Sequence, residues 1–188
     1  EVLLANHQAF ERFANFAYVP MPGGAAAIKH PLRMAYGVLW AYDLLEHPAA
    51  AAALAPLGDE AEVCDTMIER GLNTPMTSSV GRLFDAASAL LGICTEPSYE
   101  GEGAILLEAA METAGADVAG AAAVEEAAGV AGEDELAAKE RYAVIVEKNT
   151  ATETSTAQDT SVLLLDAEPT FHALLDDLAA GVPASVIS

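Results

Sequence analysis

The sequence predicts an α+β fold that is mainly helical. Most apolar residues recur at three- and four-residue spacing, which is the period of a helix with one buried face. A few short runs are rich in leucine, aromatic and β-branched residues, which is typical of strands. Glycine or proline separates most of these segments. Because the segments with helical spacing are longer and more numerous, we expect helices to dominate and strands to be short.

Four segments predict the strands. Val2 to Leu4 is a short apolar run, and Phe10 to Val19 carries aromatic residues that alternate towards its end. Ala143 to Val146 and Val162 to Leu165 predict two further strands, which pair with each other. The polar stretch from Thr150 to Ser161 would connect this second pair.

The helix with the most regular spacing begins at Pro31, a residue that suits the first turn of a helix, and extends to His47. Glycine and loop residues delimit the other helices. These cover residues 49–55, 62–70, 77–92, 102–113 and 168–180, and a short one begins at Pro183.

Two of these helices are expected to bury one apolar face each. The helix from Thr77 to Gly92 should be capped by the hydroxyls at its start and should bury Leu83, Ala86 and Leu90. The helix after Gly101 should bury three residues at the same kind of spacing, namely Ile105, Leu106 and Ala109.

The net charge excludes several classes of partner. The chain has 29 acidic and 8 basic side chains, a formal net charge of −21. Binding to nucleic acid requires cations that displace counterions from phosphates, and an anionic membrane requires the same. We therefore predict that the chain binds neither nucleic acid nor membrane. The acidic excess also disfavours a tRNA-modifying enzyme.

The acidic groups are concentrated in the second half, where residues 100–188 carry a net charge of −15. Residues 114–140 contain many Gly, Ala and Glu and few large apolar side chains. This composition predicts a mobile acidic loop over 114–140.

Cysteines and histidines show no spacing typical of a metal or redox site. Cys64 and Cys94 are thirty positions apart, and the four histidines at 7, 30, 47 and 172 form no ligand pair on one helix. We therefore expect the chain to bind no metal by itself. Free thiols and the lack of a long apolar segment or leader predict a soluble, cytoplasmic protein.

The segment from Thr77 to Asp85 has the chemistry of an anion site. Its three hydroxyls precede a helix, whose first amides are unpaired and carry partial positive charge. Arg82 can bind phosphate with two hydrogen bonds, and Asp85 can accept hydrogen bonds from ribose hydroxyls. The alternative is that Ser and Thr only cap the helix while Arg82 and Asp85 face solvent.

A second cluster combines glycine and carboxylates at a helix start. Ser98-Tyr99-Glu100-Gly101-Glu102-Gly103 suits a tight turn over a ligand, and the following helix carries Glu108. An ordinary surface loop would have the same composition.

The order of four motifs resembles the HypF family, the carbamoyltransferases of nickel-iron hydrogenase maturation. The nine-residue string T-S-S-x-G-R-L-F-D is the most specific of them. The motifs are Met21-Pro22-Gly23-Gly24, Pro31-Leu32-Arg33-Met34-Ala35, Thr77 to Ala86, and Ser98-Tyr99-Glu100-Gly101. The resemblance covers nearly the whole chain and is loosest in the acidic stretch.

This resemblance implies a fragment of an actin-like or sugar-kinase-like nucleotide-binding domain, similar to the tRNA threonylcarbamoyl-transfer enzymes. The family uses carbamoyl phosphate and ATP to make carbamoyl adenylate, and it passes the carbamoyl group to a C-terminal cysteine of a partner maturation protein. A zinc or iron ion is implied for the parent protein. The chain would be the middle of the transfer domain, inactive or nearly so alone.

The resemblance also implies a nucleotide site. Asp85 would meet the ribose, Gly101 would pack under the nucleotide, and Glu108 could close the site. Ser79 and Arg82 would anchor the loop. The resemblance implies no catalytic residue within this chain.

Some positions depart from the family pattern. Ala25 stands where the family has Asp, and Glu102 and Gly103 stand where it has Gln and Ala. The family's metal-binding histidines and its second glycine-rich loop would lie outside residues 1–188. These departures and the acidic surface leave a second possibility open, a non-catalytic acidic module of the same fold that docks a partner protein.

Overall fold

The computed structural model describes residues 1–111, 142–148 and 162–187. Six strands occur in this part of the chain. They are β1 (Val2–Ala5), β2 (Phe10–Phe16), β3 (Val19–Pro20), β4 (Met76–Thr77), β5 (Ile145–Lys148) and β6 (Leu163–Asp166).

Helices make up most of the regular structure. They are α1 (Ala25–Lys29), α2 (Pro31–Ala41), α3 (Ala50–Leu54), α4 (Glu60–Glu69), α5 (Val80–Leu90), α6 (residues 102–111), α7 (Glu168–Ala179) and α8 (Ala184–Ile187). A short 3-10 turn, Ala55–Leu57, follows α3. The α+β class with a helical majority is confirmed. Among the helices just given, none has the length and apolar character needed to cross a membrane.

The larger sheet is mixed. Its strand order is β1-β2-β6-β5, in which β2 and β6 run parallel while β1 with β2 and β5 with β6 run antiparallel. Ala14 lies opposite Leu163 in the parallel pair. Strands therefore form in all four predicted segments, and the pairing of the last two is confirmed, but the strand predicted from Phe10 to Val19 ends at Phe16. A second, two-stranded sheet joins β3 to β4, and the strand β4 was not predicted.

The core is centred on α2, which packs against α5. Met34, Val38 and Leu39 of α2 are fully buried, because apolar residues occupy most of its circumference. On α5 the predicted face of Leu83, Ala86 and Leu90 is buried. Helix α7 adds Phe171, Leu174 and Leu175 to the same core.

The helix predicted from Pro31 to His47 ends at Ala41 instead. The chain leaves the helix in a turn, and Asp43 takes a left-handed backbone conformation with φ of 57°. Residues 42–49 then form an irregular segment that returns Leu44 and Ala49 to the core. The helix thus ends earlier than its apolar spacing indicated, because Leu44 and Ala49 are buried in the core by the turn that follows it.

The prediction of a hydroxyl-capped helix beginning at Thr77 was wrong. Met76 and Thr77 pair with β3, so the helix begins at Val80 with Ser79 at the N-cap position and no side-chain cap bond. The Thr77 hydroxyl accepts a hydrogen bond from the Ser79 amide instead, at 3.1 Å.

The predicted burial of Ile105, Leu106 and Ala109 was also wrong. Ile105 is 52% exposed and Leu106 is 38% exposed, and Ala109 is exposed as well. Helix α6 turns Gly103 towards the core, which rotates the predicted face outwards. The predicted acidic loop over 114–140 and the connection from Thr150 to Ser161 lie outside the described residues.

Candidate functional site

Arg82 and Asp85 form a buried ion pair on the first turns of α5. Arg82 is 7% exposed and Asp85 is 5% exposed. Nε of Arg82 lies 2.9 Å from Oδ2 of Asp85, although neither atom completes a well-aligned hydrogen bond. Residues three apart on a helix are neighbours, so the spacing of this pair in the sequence allows the contact.

The surroundings of Asp85 oppose its ionisation. Burial raises the pKa of this carboxyl, Arg82 lowers it, and the negative charge of Glu100 raises it further. Both ionisable side chains therefore lie in a region from which water is largely excluded. The interpretation that Arg82 and Asp85 face solvent is therefore wrong.

The turn at residues 98–103 meets α5 at this ion pair. Nη2 of Arg82 lies 3.7 Å from Oε1 of Glu100, whose side chain is 82% exposed. A β-carbon at Gly103 would lie 2.6 Å from Oγ of Ser88 and 3.5 Å from Oδ1 of Asp85. The two motif clusters, at residues 77–85 and 98–103, therefore meet in space.

Glycine at two positions shapes this turn. Gly101 has φ of 87°, a backbone conformation that residues other than glycine rarely adopt. Gly103 lets α6 approach Ser88 more closely than any other residue would. A side chain at position 103 would therefore require α6 or Ser88 to move.

Glu102 holds the turn in place. The backbone amide and the hydroxyl of Ser98 both donate hydrogen bonds to its Oε2 atom, the hydroxyl at 2.9 Å. These bonds lower the pKa of Glu102. The sequence pattern assigned Glu102 no role, and the spacing of four residues from Ser98 is one longer than the capping-box signature, so no standard signal marks this contact.

Of the other two predicted site residues, Ser79 lies next to the ion pair in the chain and Glu108 lies away from it. Ser79 is exposed at the start of α5, and its carbonyl accepts the Arg82 amide at 3.0 Å. Glu108 is exposed on α6. It lies five residues after Gly103, which puts it about 140° around the helix from the face that contacts α5. Ser79, Arg82, Asp85 and Gly101 thus share one region, and Glu108 points away from it.

Comparisons with known proteins agree with the motif resemblance. The family model described as "Carbamoyltransferase, Kae1-like Domain, second subdomain" matches residues 1–188. The chain belongs to the HypF carbamoyltransferase family. Carbamoyltransferase HypF2 of Cupriavidus necator is 37% identical over 115 residues, which is 61% of this chain and 14% of that protein. The probable carbamoyltransferase HypF of Methanocaldococcus jannaschii is 37% identical over 114 residues, again 14% of its length.

The fold is shared with solved HypF structures. A crystal structure of full-length HypF in the phosphate- and nucleotide-bound form matches 98% of this chain and 23% of that one, with a TM-score of 0.66 and 25% identity. HypF of T. kodakarensis matches 95% of this chain and 20% of that one, with a TM-score of 0.57 and 23% identity. The matched segment spans about a seventh of the length of the Cupriavidus necator and Methanocaldococcus jannaschii relatives.

Proposed function

We propose that this chain forms one wall of the nucleotide pocket in a HypF-type carbamoyltransferase. The parent protein would make carbamoyl adenylate from carbamoyl phosphate and ATP and transfer the carbamoyl group to a C-terminal cysteine of a partner protein. Hydrogenase maturation is the process implied by the family, and the cytoplasm is the location predicted from the sequence. The chain alone would lack the groups needed to stabilise the reacting centre and would be inactive.

The observation that carries this proposal is the buried guanidinium of Arg82. One carboxylate, Asp85, holds its Nε side within the domain. The other, Glu100, is exposed and 3.7 Å from Nη2, which is longer than a hydrogen bond. A phosphate could displace Glu100 and bind this side of the guanidinium with charge-assisted hydrogen bonds.

In this proposal the predicted residues have distinct tasks. Arg82 binds an adenylate phosphate, Asp85 fixes the orientation of Arg82, and Gly101 lets the turn lie flat under the nucleotide. Ser79 anchors the start of α5. Direct contact of Asp85 with a ribose remains a prediction, and it would require the turn at Gly103 to move away.

The broader fold and the metal belong to the same proposal. The mixed sheet with a parallel central pair, together with the helices that precede and follow its strands, is compatible with part of a two-lobed, actin-like nucleotide-binding domain. The implied zinc or iron ion is a poor fit to the Arg82 region, because its one buried carboxylate is already paired with Arg82. We therefore assign these residues to nucleotide binding and derive no step from a metal there.

Binding of ATP to the longer parent protein tests the proposal. Arg82→Lys removes the planar fork and should weaken ATP binding by about tenfold or more, measured by isothermal titration calorimetry. Glu100→Gln should leave ATP binding unchanged or strengthen it, because the competing carboxylate is gone.

Arg12→Lys is the matched control, since Arg12 also pairs with a glutamate, at an exposed position of β2. It should leave ATP binding unchanged. If the parent protein binds no ATP, the docking-module alternative is favoured. If it binds ATP equally well with Arg82→Lys, the assignment of this wall is wrong.

A further inference from the structure

Two histidines that show no ligand spacing in the sequence meet in space. His47 lies between α2 and α3, and His172 lies on α7 with Asp176 one turn later. Nε2 of His47 is 3.2 Å from Oδ1 of Asp176, and Nδ1 of His172 is 3.3 Å from Oδ2 of the same carboxylate. One ligand atom from each of the three side chains lies within 4.8 Å of the other two.

We propose that His47, His172 and Asp176 form a binding site for a divalent transition metal ion, with Zn²⁺ as the best fit. Zinc binds histidine nitrogen and carboxylate oxygen at about 2.0–2.2 Å, which places neighbouring ligand atoms of a tetrahedron about 3.4 Å apart. The two observed nitrogen to oxygen distances, each to a different oxygen of the Asp176 carboxylate, are close to that spacing, and one ligand atom from each residue lies within 4.8 Å of the others. Two imidazoles favour zinc over Mg²⁺ or Ca²⁺, which prefer oxygen ligands.

Packing holds the three side chains in place. The segment that carries His47 is anchored in the core by Leu44 and Ala49, and α7 is anchored by Phe171 and Leu175. The side chain of His47 is only 10% exposed, whereas those of His172 and Asp176 are about half exposed. One ligand is thus rigid, and the other two face solvent on one side of a helix.

The solvent side leaves room for a fourth ligand. An open pocket of about 360 Å³ lies along α7, lined by Glu168, Pro169, His172, Ala173 and Asp176. A water molecule could complete the tetrahedron there, or the carboxylate of Glu168, which lies one turn before His172. None of these residues belongs to the Arg82 region.

Metal binding has a specific consequence for the His47 ring. The Ala49 amide donates a hydrogen bond to Nδ1 of His47 at 3.2 Å, so in the neutral ring Nε2 carries the proton and faces Asp176. Coordination through Nε2 moves this proton to Nδ1, and the Ala49 amide then loses its acceptor. We therefore expect micromolar affinity, weaker than a closed four-ligand zinc site, and a changed environment at the Ala49 amide.

Calorimetric titration of the full chain with ZnCl2 tests the site. The protein is purified without a polyhistidine tag and freed of metal and chelator before the titration. We expect one Zn²⁺ per chain and no heat of binding with MgCl2. His172→Gln should weaken zinc binding about tenfold or more without disturbing the core, because this ring is about half exposed. His47→Gln should also weaken zinc binding. His7→Gln and His30→Gln are the controls and should bind zinc as the unaltered chain does.

A chain with 29 acidic side chains could also bind zinc weakly at scattered carboxylates. No saturable zinc binding, or equal binding in the unaltered chain and in His172→Gln, would overturn the proposal. In a two-dimensional NMR spectrum that correlates amide protons with their nitrogens, zinc should shift the Ala49 amide signal in the unaltered chain and not in His172→Gln. An unmoved Ala49 signal at saturating zinc would contradict coordination through Nε2 of His47.

Discussion

Arg82 is a buried cation with one buried and one exposed carboxylate beside it. Removing a guanidinium from water costs several kcal/mol, and the contact with a carboxylate offsets only part of this. The raised pKa of Asp85 has the same origin, because burial opposes its ionised form more than Arg82 favours it. The ion pair therefore fixes the position of the Arg82 side chain more than it stabilises the fold. Removing Arg82 leaves Asp85 buried without its partner, and removing Asp85 leaves Arg82 with only the exposed carboxylate of Glu100, 3.7 Å away.

Asp85→Ala is expected to lower the free energy of unfolding by about 3–5 kcal/mol, because it strands the Arg82 charge in the interior. Urea denaturation followed by circular dichroism measures this. Glu62→Ala removes an exposed carboxylate from α4 and should cost less than about 1 kcal/mol. Equal losses of unfolding free energy in the two variants would mean that Arg82 moves into solvent freely once Asp85 is removed.

At the scale of secondary-structure elements, close backbone contact decides how α2 lies in the domain. Gly37 faces β3, and a β-carbon at this position would overlap the carbonyl group of Pro20. The helix can approach the strand only because position 37 has no side chain. Gly81 of α5 differs, because the atom nearest to a β-carbon there would be Oγ of Ser79, at 3.6 Å, which is an ordinary contact.

Gly37→Ala is therefore expected to destabilise the chain by about 1–3 kcal/mol, although alanine is the better helix former. Gly81→Ala is the matched control, and it should be neutral or stabilising by up to about 1 kcal/mol. Denaturation midpoints of the two variants give the comparison. A stabilising Gly37→Ala would show that α2 can move away from β3 without loss.

At the scale of the whole molecule, burial and nearby acidic side chains together raise the pKa of two tyrosines, Tyr36 and Tyr42. Burial, followed by the charge of Asp65, raises the pKa of Tyr36 to about 12. Burial, followed by the charge of Asp166, raises the pKa of Tyr42 to about 12. Both hydroxyls keep their protons in the folded chain at a pH where an unfolded chain, with an ordinary value of 10.0, has released them.

The free energy of unfolding is therefore expected to fall as the pH rises from 10 towards 12, because the folded state binds more protons than the unfolded state over this interval. Below pH 10 the two tyrosines should have no such effect. Denaturation at a series of alkaline pH values measures the slope. Replacing Tyr36 and Tyr42 together by Phe should reduce it, whereas Tyr99→Phe, at an exposed ring, should not. An unchanged slope in the double variant would assign the alkaline loss to other groups.

Local patterns were sufficient for most elements of the fold. The four predicted strands, the start of α2 at Pro31 and the end of α7 before Gly181 follow from spacing, proline and glycine. The motif from Thr77 to Asp85 was sufficient to indicate the family. These features depend on residues within a few positions of one another, so a single sequence contains the information they need.

Tertiary packing decided the rest. It paired Thr77 with Val19 and so removed the predicted hydroxyl cap. It also turned Gly103 rather than Ile105 towards α5, and it enclosed Arg82 with Asp85. His47 and Asp176 are 129 positions apart, and their contact depends on how α7 packs against the segment after α2. No local period encodes that contact, because it arises only when two distant apolar surfaces are buried against each other.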